Sequence, residues 1–477
     1  MNTTHSLLAG AAMVDITPPP GTHLNGDGTG QHRPAREVLE PLHAKAVAFE
    51  SGGQRVCVMA LDLTVVMEPH SRTVRQAVAD ALGTAPEAVV LCATQTHSAP
   101  SMGAFMLDPD FPLDATPQTQ YVRGSEDAYI DFVVPQAVEA GTLAARALQP
   151  AEVACGRGLL GDFAFNRRGV RRDGRSITMP KPFGRHRQSL GPTDVCYLEG
   201  PIDPEVGVAA IRSRGELKAL LLHHTCHPVI NFGRPETYHS VSADWPGAWS
   251  EQMRARLGRG CVPLVLNGCC GNVNPWHPFD PDFEPDHRRM GAALAEMTAR
   301  VLDQLTYTPE AVVDFASRRV ALPLRDVPPE RSAAVEAILS RSPQPVFRAD
   351  GTGVDPAWFG AASTRSVELQ RKRSATFDYE VQVLRVGNLA IVALPGEPFV
   401  EGQLAIKANS PASFVQVAHM ASHYVGYLPT REACRRDGHE SNADVTYWAK
   451  LAPGALETVV AEARDLVASL LAPRDGS

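Results

Sequence analysis

The 477-residue chain has no excess of basic residues: 45 Lys and Arg stand against 53 Asp and Glu, for a formal net charge of -8. That balance argues against a nucleic-acid partner, which calls for a basic surface. No apolar run approaches the roughly 18 residues of a membrane-spanning helix. The first residues lack the basic and long apolar stretches of a secretory signal. A cytoplasmic protein with no membrane partner is therefore expected. There is no Cys-x-x-Cys pair among the nine cysteines, which argues against a thiolate zinc site. Their number is odd and most sit in apolar strings such as VCVMA and VLCAT, so buried free thiols are expected. No Gly-x-x-x-x-Gly-Lys phosphate loop is present. Internal repeats and low-complexity tracts are absent too. Aromatic residues make up only 6%, which weighs mildly against a large aromatic ligand cage.

What remains is an ordinary globular composition, 44% hydrophobic and 21% charged. A chain of this length buries a large core without disulfides. Continuous apolar runs at Arg55–Leu63, Val89–Ala93, Ala219–Leu222, Val262–Leu266, Tyr379–Val386 and Leu389–Leu394 predict strands covered on both faces. Helical patterns lie between them at Ser71–Leu82, Tyr129–Leu148, Trp245–Leu257, Met290–Leu305 and Leu456–Leu471. In the third, Asp244 is a capping residue, Pro246 suits the first turn and Gly258 follows the end. The class is α/β, a layered sheet core flanked by helices. Residues 1–477 are expected to form a single catalytic domain. Asp326–Arg373, rich in Pro, Ser and Arg with one short helix at Ala333–Leu339, reads as an insertion or lid; a domain boundary is the alternative.

Candidate chemistry lies just past the strands, where α/β proteins usually bind ligands. In Ala93-Thr94-Gln95-Thr96-His97-Ser98-Ala99-Pro100, an extended chain places Gln95 and His97 on one side. In His223-His224-Thr225-Cys226-His227-Pro228, one imidazole is a metal-ligand candidate and the others are structural. Asn267-Gly268-Cys269-Cys270-Gly271-Asn272-Val273-Asn274-Pro275 brings amides able to steady an oxyanion or hydroxyls, or is simply a tight turn. In Pro395-Gly396-Glu397-Pro398 the carboxylate binds a metal, acts as a base or caps a helix. Tyr424 and Tyr427 flank Gly426, and Arg167 follows Phe165-Asn166 as a carbonyl or carboxylate clamp. Asp62 either orients a histidine or closes a strand end.

In this order the motifs resemble the neutral, non-lysosomal ceramidase family in its broad bacterial sense. The resemblance runs from about Ala9 to about Leu471. It is carried by VDITPP, ALDL, ATQTHSAP, FNRR, GPIDPEV, CHPV, SADWPG, GNVNP, LPGE and YVGYLPT. It implies a ceramidase-like catalytic domain and a zinc-dependent amidohydrolase. By motif, His227, Glu397 and Tyr427 match three zinc ligands, Arg167 an active-site arginine, and His97 the second histidine of a Thr-His-Thr-His string. Gln95 stands where that family has its first zinc-binding histidine. Asn274 stands where ceramidases carry a serine in a Gly-Asp-x-Ser-Pro string. By this resemblance the chain is expected to lack the C-terminal immunoglobulin-like domain and the secretion signal of ceramidases.

The reading is a metal-dependent hydrolase, zinc by family, cleaving an amide or less readily an ester in a small soluble N-acyl substrate. His227, Glu397 and Tyr427 hold the metal, and His97 or Gln95 completes the shell. Arg167 and Asn274 stabilise the oxyanion, and His97 otherwise shuttles a proton. Gln95, Asn166, Asn272 and Tyr424 contact substrate. Two alternatives stand beside it: a metal-independent acid–base enzyme (isomerase, lyase or glycoside-acting), or a non-catalytic small-molecule binder.

Overall fold

The computed structural model describes residues 5–26, 28–114, 116–179, 194–280 and 282–472. The apolar runs form three mixed sheets. The first orders strands Val89–Ala93, Gln54–Leu61, His43–Ser51, Leu8–Asp15 and Gln149–Pro150. The second orders Val262–Asn267, Glu216–His224, Glu205–Ser213 and Glu152–Leu159, and the third Val313–Pro323, Thr376–Val386, Leu389–Ala393 and Phe414–Ala418. Antiparallel pairing predominates, but each sheet holds one parallel pair: Gln54–Leu61 with Val89–Ala93, Glu216–His224 with Val262–Asn267, and Leu389–Ala393 with Phe414–Ala418.

The faces of all three sheets meet in one core, where Val58 and Val90, Leu221 and Leu264, and Leu384 and Ile391 are buried together. Each outer face is covered by helices. His70–Leu82 and Asp127–Arg146 cover the first sheet, Asp244–Leu257 and His287–Leu302 the second, and Val400–Lys407 and Ala455–Leu471 the third. Burial from both sides explains why the strands read as continuous rather than alternating apolar runs. Helix Asp244–Leu257 begins one residue earlier than its pattern. Asp244 is not its side-chain cap: it lies inside the first turn at φ 56°, and its carboxylate takes the N–H groups of Asn231 and Trp245.

Residues 326–373 are more regular than the composition suggests. Pro329–Leu339 is followed by a second helix, Pro356–Arg373, which Asp355 caps by accepting from the N–H groups of Ala357 and Trp358. Asp-Pro at the cap and first turn was the available signal. Trp358 and Phe359 join the core beside the first sheet, and Gly353 bridges Gln31 in the loop that follows the first strands. No described helix is long and apolar enough to cross a membrane.

Candidate active site

Apart from the cluster around Arg167, the predicted clusters follow the carboxyl ends of the three parallel pairs, and those ends are tied to one another. The Ala93 N–H donates to the Met420 carbonyl at 3.3 Å, joining the first sheet to the third. The His419 N–H donates to the Asn267 carbonyl at 3.1 Å, joining the third to the second. Asn267 Nδ2 donates to the Thr94 carbonyl at 3.0 Å, joining the second to the first. A short parallel bridge then sets Glu397 abreast of Tyr427. Gly396, at φ 73°, makes that approach possible: a Cβ there would lie 2.5 Å from the Gly426 carbonyl.

These ends form the floor of a cavity of about 560 Å³. Gln95, His97, Arg167, Asn274, Glu397, Tyr424 and Tyr427 all line it. The upper walls are apolar, with Phe105, Met106, Met179, Phe232, Trp276 and Trp448. That size and lining suit a drug-sized ligand.

Glu397 is the hub. His227 Nε2 lies 3.1 Å from its Oε2, and the Tyr424 hydroxyl donates to Oε1 at 3.0 Å. Burial would push its titration upward, but the His227 hydrogen bond, the charges of His227 and Arg167 and a bond from Gln95 outweigh it, holding the carboxyl down to about 2. Tyr424 therefore meets Glu397 directly. Tyr427 instead lies beneath the guanidinium of Arg167, whose carbon is 5.4 Å from the ring centre. Burial first, and then the Glu397 charge, push both phenols well above their ordinary range.

Arg167 is buried. Its Nε donates to Glu440 at 2.8 Å and an Nη to Asn274 Oδ1 at 3.4 Å. The same Glu440 accepts from Arg168 at 2.5 Å, and Arg168 also donates to Glu199. Burial opposes ionisation of Glu440, but the two arginines prevail and hold it down to about 2. One buried carboxylate thus anchors Arg167 and ties the segment carrying His439, another cavity residue, to it.

Gln95 departs from the sequence expectation. The strand ends at Ala93, and Gln95 adopts φ 68°, so it does not share an extended side with His97. Its amide lies between Glu397, His419 and Cys270: Oε1 is 2.8 Å from His419 Nε2 and 3.3 Å from Cys270 Sγ. His419, which no motif indicated, is fully buried, and burial lowers it to about 4. The His97 ring is edge-on to His227, centroids 5.6 Å apart, and the His97 backbone is held by Pro228 and Arg33.

Two further amides are committed elsewhere. Asn166 donates to the Pro201 carbonyl and accepts from the Arg168 N–H, and Asn272 joins the Val400 N–H to Glu401. Neither lines the cavity, so both act as structural braces where substrate contact was expected. Asp62 pairs with Lys45 at 3.0 Å and with the His43 backbone, not with a histidine ring. His223 and His224 are buried in their strand, and His224 bonds the Glu205 carbonyl. Among the described residues, no group of three or more His, Cys, Asp or Glu is arranged to hold a metal ion.

The fold is that of the neutral ceramidases. The crystal structure of neutral ceramidase from Pseudomonas aeruginosa superposes with a TM-score of 0.67 at 18% identity, covering 99% of this chain and 76% of that one. A structure described as ceramidase complexed with C2 gives 0.66, again at 18%, covering 98% and 75%. No protein-family model matches the chain, and no curated protein matches it in sequence. At this identity the likeness establishes the α/β architecture, which agrees with the resemblance read from the motifs.

Proposed function

We propose that this chain is a hydrolase that uses one bound divalent metal ion, zinc by analogy, to cleave an amide bond in a small N-acyl compound. The observation that carries this reading is the contact between buried His227 and Glu397, which lines the cavity. His227 Nδ1 lies 3.1 Å from the Val273 carbonyl, which can only accept, so the ring proton belongs on Nδ1. In that tautomer Nε2 presents a lone pair to a carboxylate oxygen 3.1 Å away. Two acceptors in such contact call for a proton or a cation between them. The pair therefore fits a metal ion, with the Tyr427 phenol and an oxygen or nitrogen from Gln95 or His97 as further donors. Such an ion supplies carbonyl polarisation and an acidified water.

The chain's own residues account for the rest. Glu397 remains a carboxylate throughout the neutral range, since the Arg167 charge beside it favours the ionised form. Arg167 and Asn274 face the cavity side by side, a cation and an amide placed to stabilise a developing oxyanion. His97 lines the same space and is the proton shuttle to the leaving amine. Phe105, Met106 and Trp276 take the apolar part of the substrate. The chain works as one catalytic domain, with residues 326–373 backing the cavity rim through Gly353.

His227→Ala tests the assignment. Metal content by mass spectrometry should fall from about one equivalent to none, and hydrolysis of an N-acyl panel should stop with the fold intact. Full occupancy and turnover in that variant would refute it. The His227–Glu397 contact also suits a proton-linked acid–base pair. That reading predicts activity that survives complete removal of metal by chelator.

A further inference from the structure

Gln95 stands at the centre of the floor, and its two amide ends do different work. Amide oxygen and nitrogen are assigned from the hydrogen bonds they make. His419 supplies the decisive partner. Its Nδ1 lies 2.8 Å from the Asn267 carbonyl, an acceptor only, so Nδ1 carries the ring proton. The neutral ring then presents a bare Nε2. With the amide oxygen 2.8 Å from that nitrogen, two acceptors collide. Turning the amide over removes that conflict and gives up the hydrogen bond from the Gln95 nitrogen to Glu397. The Gln95 nitrogen then donates to His419 Nε2, and its second proton points to Cys270 Sγ at 3.3 Å. The amide oxygen then faces the Glu397 carboxylate, where the His227 lone pair already points.

We propose that Gln95 presents its amide oxygen to the His227–Glu397 pair as a ligand for a cation, and that His419 is the positioning residue that fixes this orientation. The inference rests on the metal-dependent reading above. Gln95 Oε1 and His227 Nε2 then both meet the Glu397 carboxylate with no donor among the three groups, an arrangement that a cation satisfies. An amide oxygen is a harder donor than imidazole, so the site should favour manganese relative to zinc more than an all-histidine version would. The left-handed backbone of Gln95 is a conformation that histidine also tolerates, so the exchange is testable in place.

The experiment is a titration of the full-length, chelator-stripped protein with Zn²⁺ and, separately, Mn²⁺ against a fluorescent chelator, with bound metal counted by mass spectrometry. Wild type should take one equivalent. Gln95→Leu should weaken binding by more than the roughly 10- to 100-fold that loss of an outer partner costs. His419→Phe should fall within that outer-partner range. Gln95→His should keep one equivalent and shift preference toward Zn²⁺, a selectivity change that a merely structural residue would not cause. If Gln95→Leu binds metal as tightly as wild type or more so, the amide nitrogen faces Glu397 and opposes the cation. The proposal then falls while the metal-dependent reading stands. If neither wild type nor Gln95→His takes up either metal, that reading fails and the proposal with it. Should Gln95→Leu not fold, an unchanged Zn²⁺/Mn²⁺ preference in Gln95→His overturns the proposal by itself.

Discussion

Removing Glu440 should cost more than removing any surface carboxylate. Its side chain is fully buried and receives Arg167 Nε at 2.8 Å and Arg168 Nη1 at 2.5 Å. Glu440→Ala leaves two buried guanidinium groups short of a counter-charge. Arg168 retains Glu199 and the carbonyls of Ala433 and Asp437, so the loss falls mainly on Arg167. Breaking a buried ion pair on one side costs about 3–5 kcal/mol. Glu440→Gln, which keeps one acceptor, should cost about 2 kcal/mol, near the value of a hydrogen bond to a charged group. Arg167→Met combined with Glu440→Leu should be less destabilising than the sum of the singles, with a coupling of about 2–3 kcal/mol. Urea unfolding read by midpoint and slope gives these values. The effect carries a pH signature. Glu440 is held at about 2 against an ordinary 4.5. Its contribution is therefore complete above 4.5 and is lost as pH falls toward 2, so wild type should converge on Glu440→Gln across that window. A loss below about 1 kcal/mol for Glu440→Ala, or strictly additive singles, would refute the assignment of a shared buried carboxylate.

Two other outcomes are expected. Burial, against a weaker opposing pull from Asp108, lowers Lys450 from 10.5 to about 7. The unfolded chain therefore binds the extra proton between those values, and stability should rise with pH from 7 to 10.5. Lys450→Met should flatten that rise in urea titrations; an unchanged slope would count against it. Gly271→Ala would place a Cβ 2.5 Å from the Glu397 carbonyl oxygen and 3.0 Å from that of Pro398. It should lower kcat by displacing the hub, with the far-ultraviolet spectrum preserved, and full activity would contradict this packing.

Much of the floor was legible because strand and loop are local events. Val89–Ala93 and Val262–Asn267 announce themselves by continuous apolar residues, and the polar clusters follow directly. What the chain order does not encode is which loop ends meet. His419 is a single histidine after Phe414–Ala418, and only the meeting of the sheet ends gives it its partners, Asn267 and Gln95. Asn166 and Asn272 look like site amides because they sit within motifs, yet they also brace the backbone of Pro201 and Val400, 35 and 128 positions away. Gln95 and His97 alternate on paper, but the strand has already ended and the left-handed turn at Gln95 separates them. The helix Pro356–Arg373 was masked by its Ser and Arg content, although six of its first twelve residues are Trp, Phe, Ala or Gly.

The three hydrogen bonds that join the sheet ends also divide the cavity by how it is built. Glu397, His227 and Gln95 follow within four residues of the ends of the sheet strands Leu389–Ala393, Glu216–His224 and Val89–Ala93. Phe105, Met106, Phe232 and Trp276 stand on connecting segments outside the main sheets. Selection, natural or in the laboratory, can therefore reshape what enters without disturbing what reacts. Libraries confined to those four positions are the economical route to a changed substrate range.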